Sequence, residues 1–115
     1  MASLLPDYIE RRLFSRHLVH ARVKLTHGAI GEIVGRSREI SDSGLFVEVF
    51  PVPKLPNGSN IKMYMLDSAY PHIAFNMKVI RIASDGIGLM FVDYEIDGER
   101  FSMETLRDQV KKNLN

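Results

Sequence analysis

From His17 to Thr26 the chain alternates, with Val19, Ala21, Val23 and Leu25 apolar and His20, Arg22 and Lys24 polar between them. A repeat of two puts one face in a core and the other in water, which predicts a strand. His27-Gly28 predicts a turn, and a second extended stretch follows from about Ile30 to Ile40, with Glu32, Arg36 and Arg38 on its polar side. The run SDSG then breaks the pattern before LFVEVF, a third strand. PVPKLPNG, residues 51–58, reads as a loop, because its prolines remove ladder donors and Asn57-Gly58 tolerates positive φ. Ile61, Met63 and Met65 alternate with Lys62 and Tyr64 in a fourth strand. Ile73, Phe75, Met77 and Val79 make a fifth, whose apolar phase then shifts to Ile80 and Ile82; a shift of one residue inside a strand predicts a β-bulge. Asp85-Gly86 is a hairpin signal, and GIGLMFVD is a sixth strand with Ile87, Leu89 and Phe91 inward.

After Asp97 the period changes. Met103, Leu106, Val110 and Leu114 fall on one helical stripe, which predicts a helix over 97–113 with Asp97 as N-cap, Glu99 in the positive first turn and Lys111 and Lys112 in the last. About six short strands followed by one helix argue for an antiparallel barrel whose end or side the helix covers.

Composition bounds the function. At 115 residues the chain makes one domain with a single modest core. Its Lys+Arg 15 against Asp+Glu 14 leaves a formal charge of +1, so a broad basic face for DNA or RNA is not expected and any anion site must be local. With Cys 0 there is no disulfide framework and no thiol chemistry. The opening MASLLPDYIE lacks the basic and apolar regions of a leader, and no later apolar run approaches membrane-spanning length, so the expected location is the cytoplasm, without membrane contact.

Against that balance, ERRLFSRH, residues 10–17, concentrates Arg11, Arg12 and Arg16 ahead of the first strand. Arg12 and Arg16 form R-x-x-x-R. By itself the segment also fits an ordinary amphipathic helix that docks Ile9 and Leu13 and starts near Pro6. A second element, EISDSGLFV at 39–47, contains acid-x-Ser-x-x-Gly where the second strand turns into the third. Glu39 supplies a carboxylate able to accept from the guanine N1 and N2 hydrogens, and Ser41 a hydroxyl able to donate to a phosphate. Gly44 marks a position needing positive φ or close approach. Alone, this element also fits a serine-rich turn.

Together the two motifs resemble the PilZ domain family, whose members bind the bacterial second messenger cyclic di-GMP. DGIGLMFVD is similar to the family's closing strand, and the barrel-plus-helix order extends the resemblance over nearly the whole chain. The resemblance implies an all-β fold with one helix: a six-stranded antiparallel Greek-key-like β-barrel with a C-terminal α-helix. Residues 1–16 are then a flexible ligand-binding segment, 17–93 the barrel and 97–113 the helix. It further implies that Arg12 and Arg16 wrap the ligand while Glu39, Ser41 and Gly44 form the barrel-side surface. Arg11 occupies the position that influences whether one nucleotide or an intercalated pair is bound, and an arginine there is compatible with the pair. Guanidinium suits these roles, since it pairs with guanine O6 and N7, stacks on a base or clamps phosphate.

Glu39 departs from the family's usual Asp or Asn; its extra methylene moves the acceptor and adds a rotor. Arg36, Arg38 and Arg81 are candidates to widen the positive patch, against the alternative of a solvated strand face, and Val79 is expected in the core, with presentation of an apolar surface to a base as the alternative. His17 and His20 fall on opposite faces of a strand, no metal set accompanies them, and neither a phosphate loop nor a nucleophile elbow is present, so no enzyme is expected. Two functions remain. One is a cofactor-free cyclic di-GMP receptor that orders its arginine segment on binding and signals to an unidentified effector protein. The other is a PilZ-fold interaction adaptor that has lost nucleotide binding through Glu39.

Overall fold

The computed structural model describes residues 20–41, 43–68 and 70–104. It contains seven strands: β1 Arg22–His27, β2 Gly31–Ile40, β3 Gly44–Glu48, β4 Asn60–Met65, β5 Ala74–Ala83, β6 Gly86–Ile96 and β7 Glu99–Ser102. They run in the order β3-β2-β1-β4-β5-β6-β7, and β3 also pairs with β6. That extra pairing closes six strands into an antiparallel barrel and leaves β7 as a flap on β6. The order β4-β1-β2-β3 is a Greek key: β3 returns to the far side of β1 through residues 49–59, where the prolines and Gly58, at φ 91°, end the ladder. The returning loop is not idle, since Leu55 is buried in the core.

Alternation fills the barrel. Val23 and Leu25, Leu45 and Val47, Ile61, Met63 and Met65, Phe75, Met77 and Val79, and Ile87, Leu89 and Phe91 form one apolar cluster. Each such side chain removed from water stabilises the fold by about 1.5–3 kcal/mol before ordering costs. Three bulges keep the pattern in phase, one of them at Val92 of β6, between the Asp93–Asn76 and Phe91–Met77 pairs. In β2, Ser37 pairs with Val47 and Glu39 with Phe46, so Arg38 is the extra residue, and the insertion lets both Ser37 and Ile40 turn toward the interior. In β5, Val79 pairs with Leu89 and Arg81 with Gly88, so the expected bulge falls on Ile80. It turns Ile80 outward, 53% exposed, and leaves Ile82 39% exposed opposite the buried Ile87.

The chain after β6 departs from the expected helix at 97–113. Asp97 and Gly98 take φ 53° and 83° and make a two-residue hairpin loop, after which Glu99–Ser102 pairs back onto β6. Asp97 is therefore a turn residue rather than an N-cap, and Glu99 belongs to a strand. Phe101 on β7 stacks on the buried Tyr94 of β6 at 5.5 Å, which gives the hairpin an apolar anchor. Helical geometry begins only at Met103, itself buried, and residues 105–113 of the expected helix lie outside the described residues. Among the described residues no helix is long and apolar enough to cross a membrane.

Candidate functional site

The barrel closes where β3 meets β6, and glycine makes that seam. Gly44 pairs with Met90, Phe46 with Gly88 and Glu48 with Gly86. A Cβ on Gly44 would lie 2.0 Å from the carbonyl oxygen of Leu89, so this position is required for close approach and not for positive φ. A Cβ on Gly86 would meet the Val47 carbonyl at 2.1 Å and the Phe46 ring at 2.7 Å. Phe46 alternates with the core residues Leu45 and Val47 and stands outside their cluster, yet it is only 4% exposed. The bare backbone of the glycines beneath it gives the ring its seat.

The bulges of β2 and β5 deliver arginine to that ring. Arg38, the extra residue of β2, places its guanidinium 4.0 Å from the Phe46 centroid, and Arg81, which follows the bulge of β5, places its own at 5.0 Å. A cation over an aromatic face is held by the ring quadrupole. The two arginines differ in what else they hold. Arg38 donates to Asp85 at 2.5 Å and to Glu48 at 3.4 Å, with Glu39 at 3.8 Å. Arg81 has no ion pair among the described residues.

Beside the ring lies an open groove of about 530 Å³, lined along β2 and β3 by Glu39, Ser41 and Gly44 and across from them by Ile80, Arg81 and Met90. The side chain of Glu39 is 78% exposed. Ser41 shapes the β2–β3 turn: its amide donates to the Gly44 carbonyl at 2.8 Å, and its hydroxyl lies 3.3 Å from that same oxygen and 3.2 Å from the Ser43 hydroxyl. Ile80 and Met90, 53% and 37% exposed, give the groove an apolar side. The groove thus offers a guanidinium, a carboxylate, hydroxyls and apolar surface within one concavity. Such a set suits a ligand with both anionic and flat aromatic parts.

Four of the sequence-derived site residues, Glu39, Ser41, Gly44 and Arg81, therefore share one groove. Arg11, Arg12 and Arg16 lie outside the described residues. Arg36 is turned elsewhere and donates to the His20 carbonyl at 3.1 Å. Val79 is fully buried, and its neighbour Ile80 supplies the apolar surface instead. Phe46, Met90 and Asp85 were missed. The outward phase of Phe46 against Leu45 and Val47 was a usable signal for the first, but the partnership of Asp85 with Arg38 spans 47 positions and left no trace in spacing.

The hydrogen bond from Arg38 holds the Asp85 carboxyl below the usual carboxylate range; partial desolvation opposes this, and the charges of Arg38 and Arg81 add to it. The same bond raises the Arg38 guanidinium above its ordinary value.

A family model, that of the PilZ domain, matches residues 10–110. The chain belongs to the PilZ domain family. The match runs from the arginine segment through the whole barrel, so both sequence motifs and the groove fall within the PilZ domain. No curated protein matches the chain. PilZ domains are receptor and adaptor domains, and the groove at the β3–β6 seam is the concavity of this one that collects the second motif.

Proposed function

We propose that this PilZ domain is a receptor for cyclic di-GMP, and that binding orders the N-terminal arginine segment and creates a surface for a partner protein. The observation that carries the reading is the convergence of Glu39, Ser41, Gly44 and Arg81 on one groove whose arginine makes no ion pair among the described residues. In this reading Arg81 faces phosphate or the guanine edge, and Glu39 accepts from the guanine N1 and N2 hydrogens. The apolar flank of Ile80 and Met90 receives a base face. Arg11, Arg12 and Arg16 supply the remaining charge from the segment preceding β1, and neutralisation by a dianionic nucleotide drives that segment to order.

Each charged hydrogen bond contributes about 1.5–3 kcal/mol before ordering costs, so losing one motif arginine weakens binding by roughly tenfold or more. The test is isothermal titration with cyclic di-GMP, with GTP as control. Saturable micromolar binding selective over GTP is expected, and the stoichiometry distinguishes one nucleotide from an intercalated pair. Arg16→Ala is expected to abolish micromolar binding with the melting temperature of the free protein nearly unchanged. No heat and an unshifted melting curve would sink the receptor reading and leave a nucleotide-independent adaptor.

A further inference from the structure

Two arginines rest on one phenylalanine in different electrostatic states. Arg81 faces the groove without an ion pair among the described residues, whereas Arg38 is encircled by Asp85 at 2.5 Å, Glu48 at 3.4 Å and Glu39 at 3.8 Å. Only Asp85 comes from outside β2 and β3. It sits in the loop joining β5 to β6, and its carbonyl accepts from the Val49 amide at 3.2 Å, which fixes that loop against the end of β3. Asp85 and Glu48 also line a separate groove with Val34 and Phe50, and both take the same nitrogen of Arg38, Nη1, while its Nε lies 3.8 Å from Glu39 in the groove at the seam.

We propose that Asp85 sets the affinity of the ligand groove by holding Arg38 back from the bound anion, so that Asp85 and the nucleotide phosphates compete for one guanidinium. The proposal rests on the receptor reading above. An exposed arginine–carboxylate pair is weakened by water and by the entropy of fixing two side chains, so the exchange is cheap. The bulge at Arg38 and its contact with Phe46 keep the guanidinium at the border of the groove while the acceptor changes. Arg38 is thereby a ligand contact held in reserve, and Asp85 is a positioning residue that never touches the ligand.

The experiment is a double-mutant cycle on the full chain with cyclic di-GMP, using Asp85→Asn, Arg38→Ala and the two combined, at two salt concentrations and with melting curves for each. Asparagine is also favoured in turns, so the β5–β6 loop is expected to survive. Asp85→Asn should tighten binding about two- to fivefold and steepen its salt dependence, and Arg38→Ala should erase that gain. If Asp85→Asn melts early, Glu48→Gln, outside the loop, enters the same cycle. Unchanged or weaker binding by the folded variant overturns the proposal. An equal gain in the Arg38→Ala background also overturns it, because the effect would then belong to the field of Asp85 alone. Absence of binding by the unmutated chain is a different failure, that of the receptor reading itself, and removes the proposal with it.

Discussion

Two of the grooves on this barrel are electrostatic opposites. The one at the β3–β6 seam, about 530 Å³, holds the guanidinium of Arg81 without an ion pair among the described residues, over a phenylalanine. The other, about 630 Å³, is lined by Thr26, Asn60, Lys62, Asn76, Val92 and Arg100 among others, and its cations are spent. Lys62 pairs with Glu95 at 3.4 Å, Arg100 pairs with Asp93 at 2.7 Å, and the Asn76 amide donates to both carboxylates. Even His27 is occupied, its Nδ1 accepting from the Ala29 amide. Volume alone therefore does not single out the candidate site. A paired cation meets an anion only by exchanging its carboxylate, and Lys62 and Arg100 in the larger groove are both paired, whereas Arg81 at the seam makes no ion pair among the described residues.

The comparison can be broken at its backbone first. Gly44→Val drives a side chain into the Leu89 carbonyl, so it is expected to part β3 from β6 and cost about 3 kcal/mol or more in urea unfolding. Gly28→Ala, beside the larger groove, meets nothing within 4 Å and is expected to stay within about 0.5 kcal/mol. Equal costs at the two positions would mean that the seam is not glycine-dependent.

The next effect is on binding. Arg81→Ala should lose roughly tenfold in cyclic di-GMP affinity, whereas Lys62→Ala and Arg100→Ala should each remain within about twofold in the same titration. A larger loss from Arg100→Ala than from Arg81→Ala would move the site to the other groove.

The smallest effect sharpens the contrast through pH. In the larger groove the Asn76 amide, and after it Lys62, hold the Glu95 carboxyl below the ordinary range, as Arg38 does for Asp85 at the seam. A folded pKa below the unfolded one gives stability that is present above the unfolded value, about 4, and is lost as pH falls through the folded value. Melting temperatures should fall as pH drops below about 4, and Asn76→Ala and Asp85→Asn should each make that fall shallower. An unaltered slope in Asn76→Ala would show that the amide does not sustain the charge on Glu95.

Much of the barrel was legible because a period of two is written locally. Val23 and Leu25 or Ile87 and Leu89 need no distant information to declare a face, and the phase shift after Val79 announced the bulge at Ile80. The chain after Ile96 was misread for the opposite reason. A helical stripe beginning at Met103 was extended back to Asp97, although Asp97-Gly98 carried the same hairpin signal as Asp85-Gly86, and pairing to β6 with Phe101 on Tyr94 decided between them. In the site, Glu39, Ser41 and Gly44 were readable as a spacing. The acceptor around Arg38 was not, because Asp85 reaches it only once the β5–β6 loop closes over β3.

The amino-acid order by itself determined which side chains face inward, where the ladder is broken by proline and glycine, and which motif belongs to the PilZ family, since each depends on neighbours within a few positions. Only the tertiary structure decided which charges are available. Arg38 and Arg81 are the same residue type on one phenylalanine, and closure of the barrel puts Asp85 against the first while the second faces the groove without an ion pair among the described residues. Charge in a sequence is a count, but charge at a site is what remains after the fold has paired it.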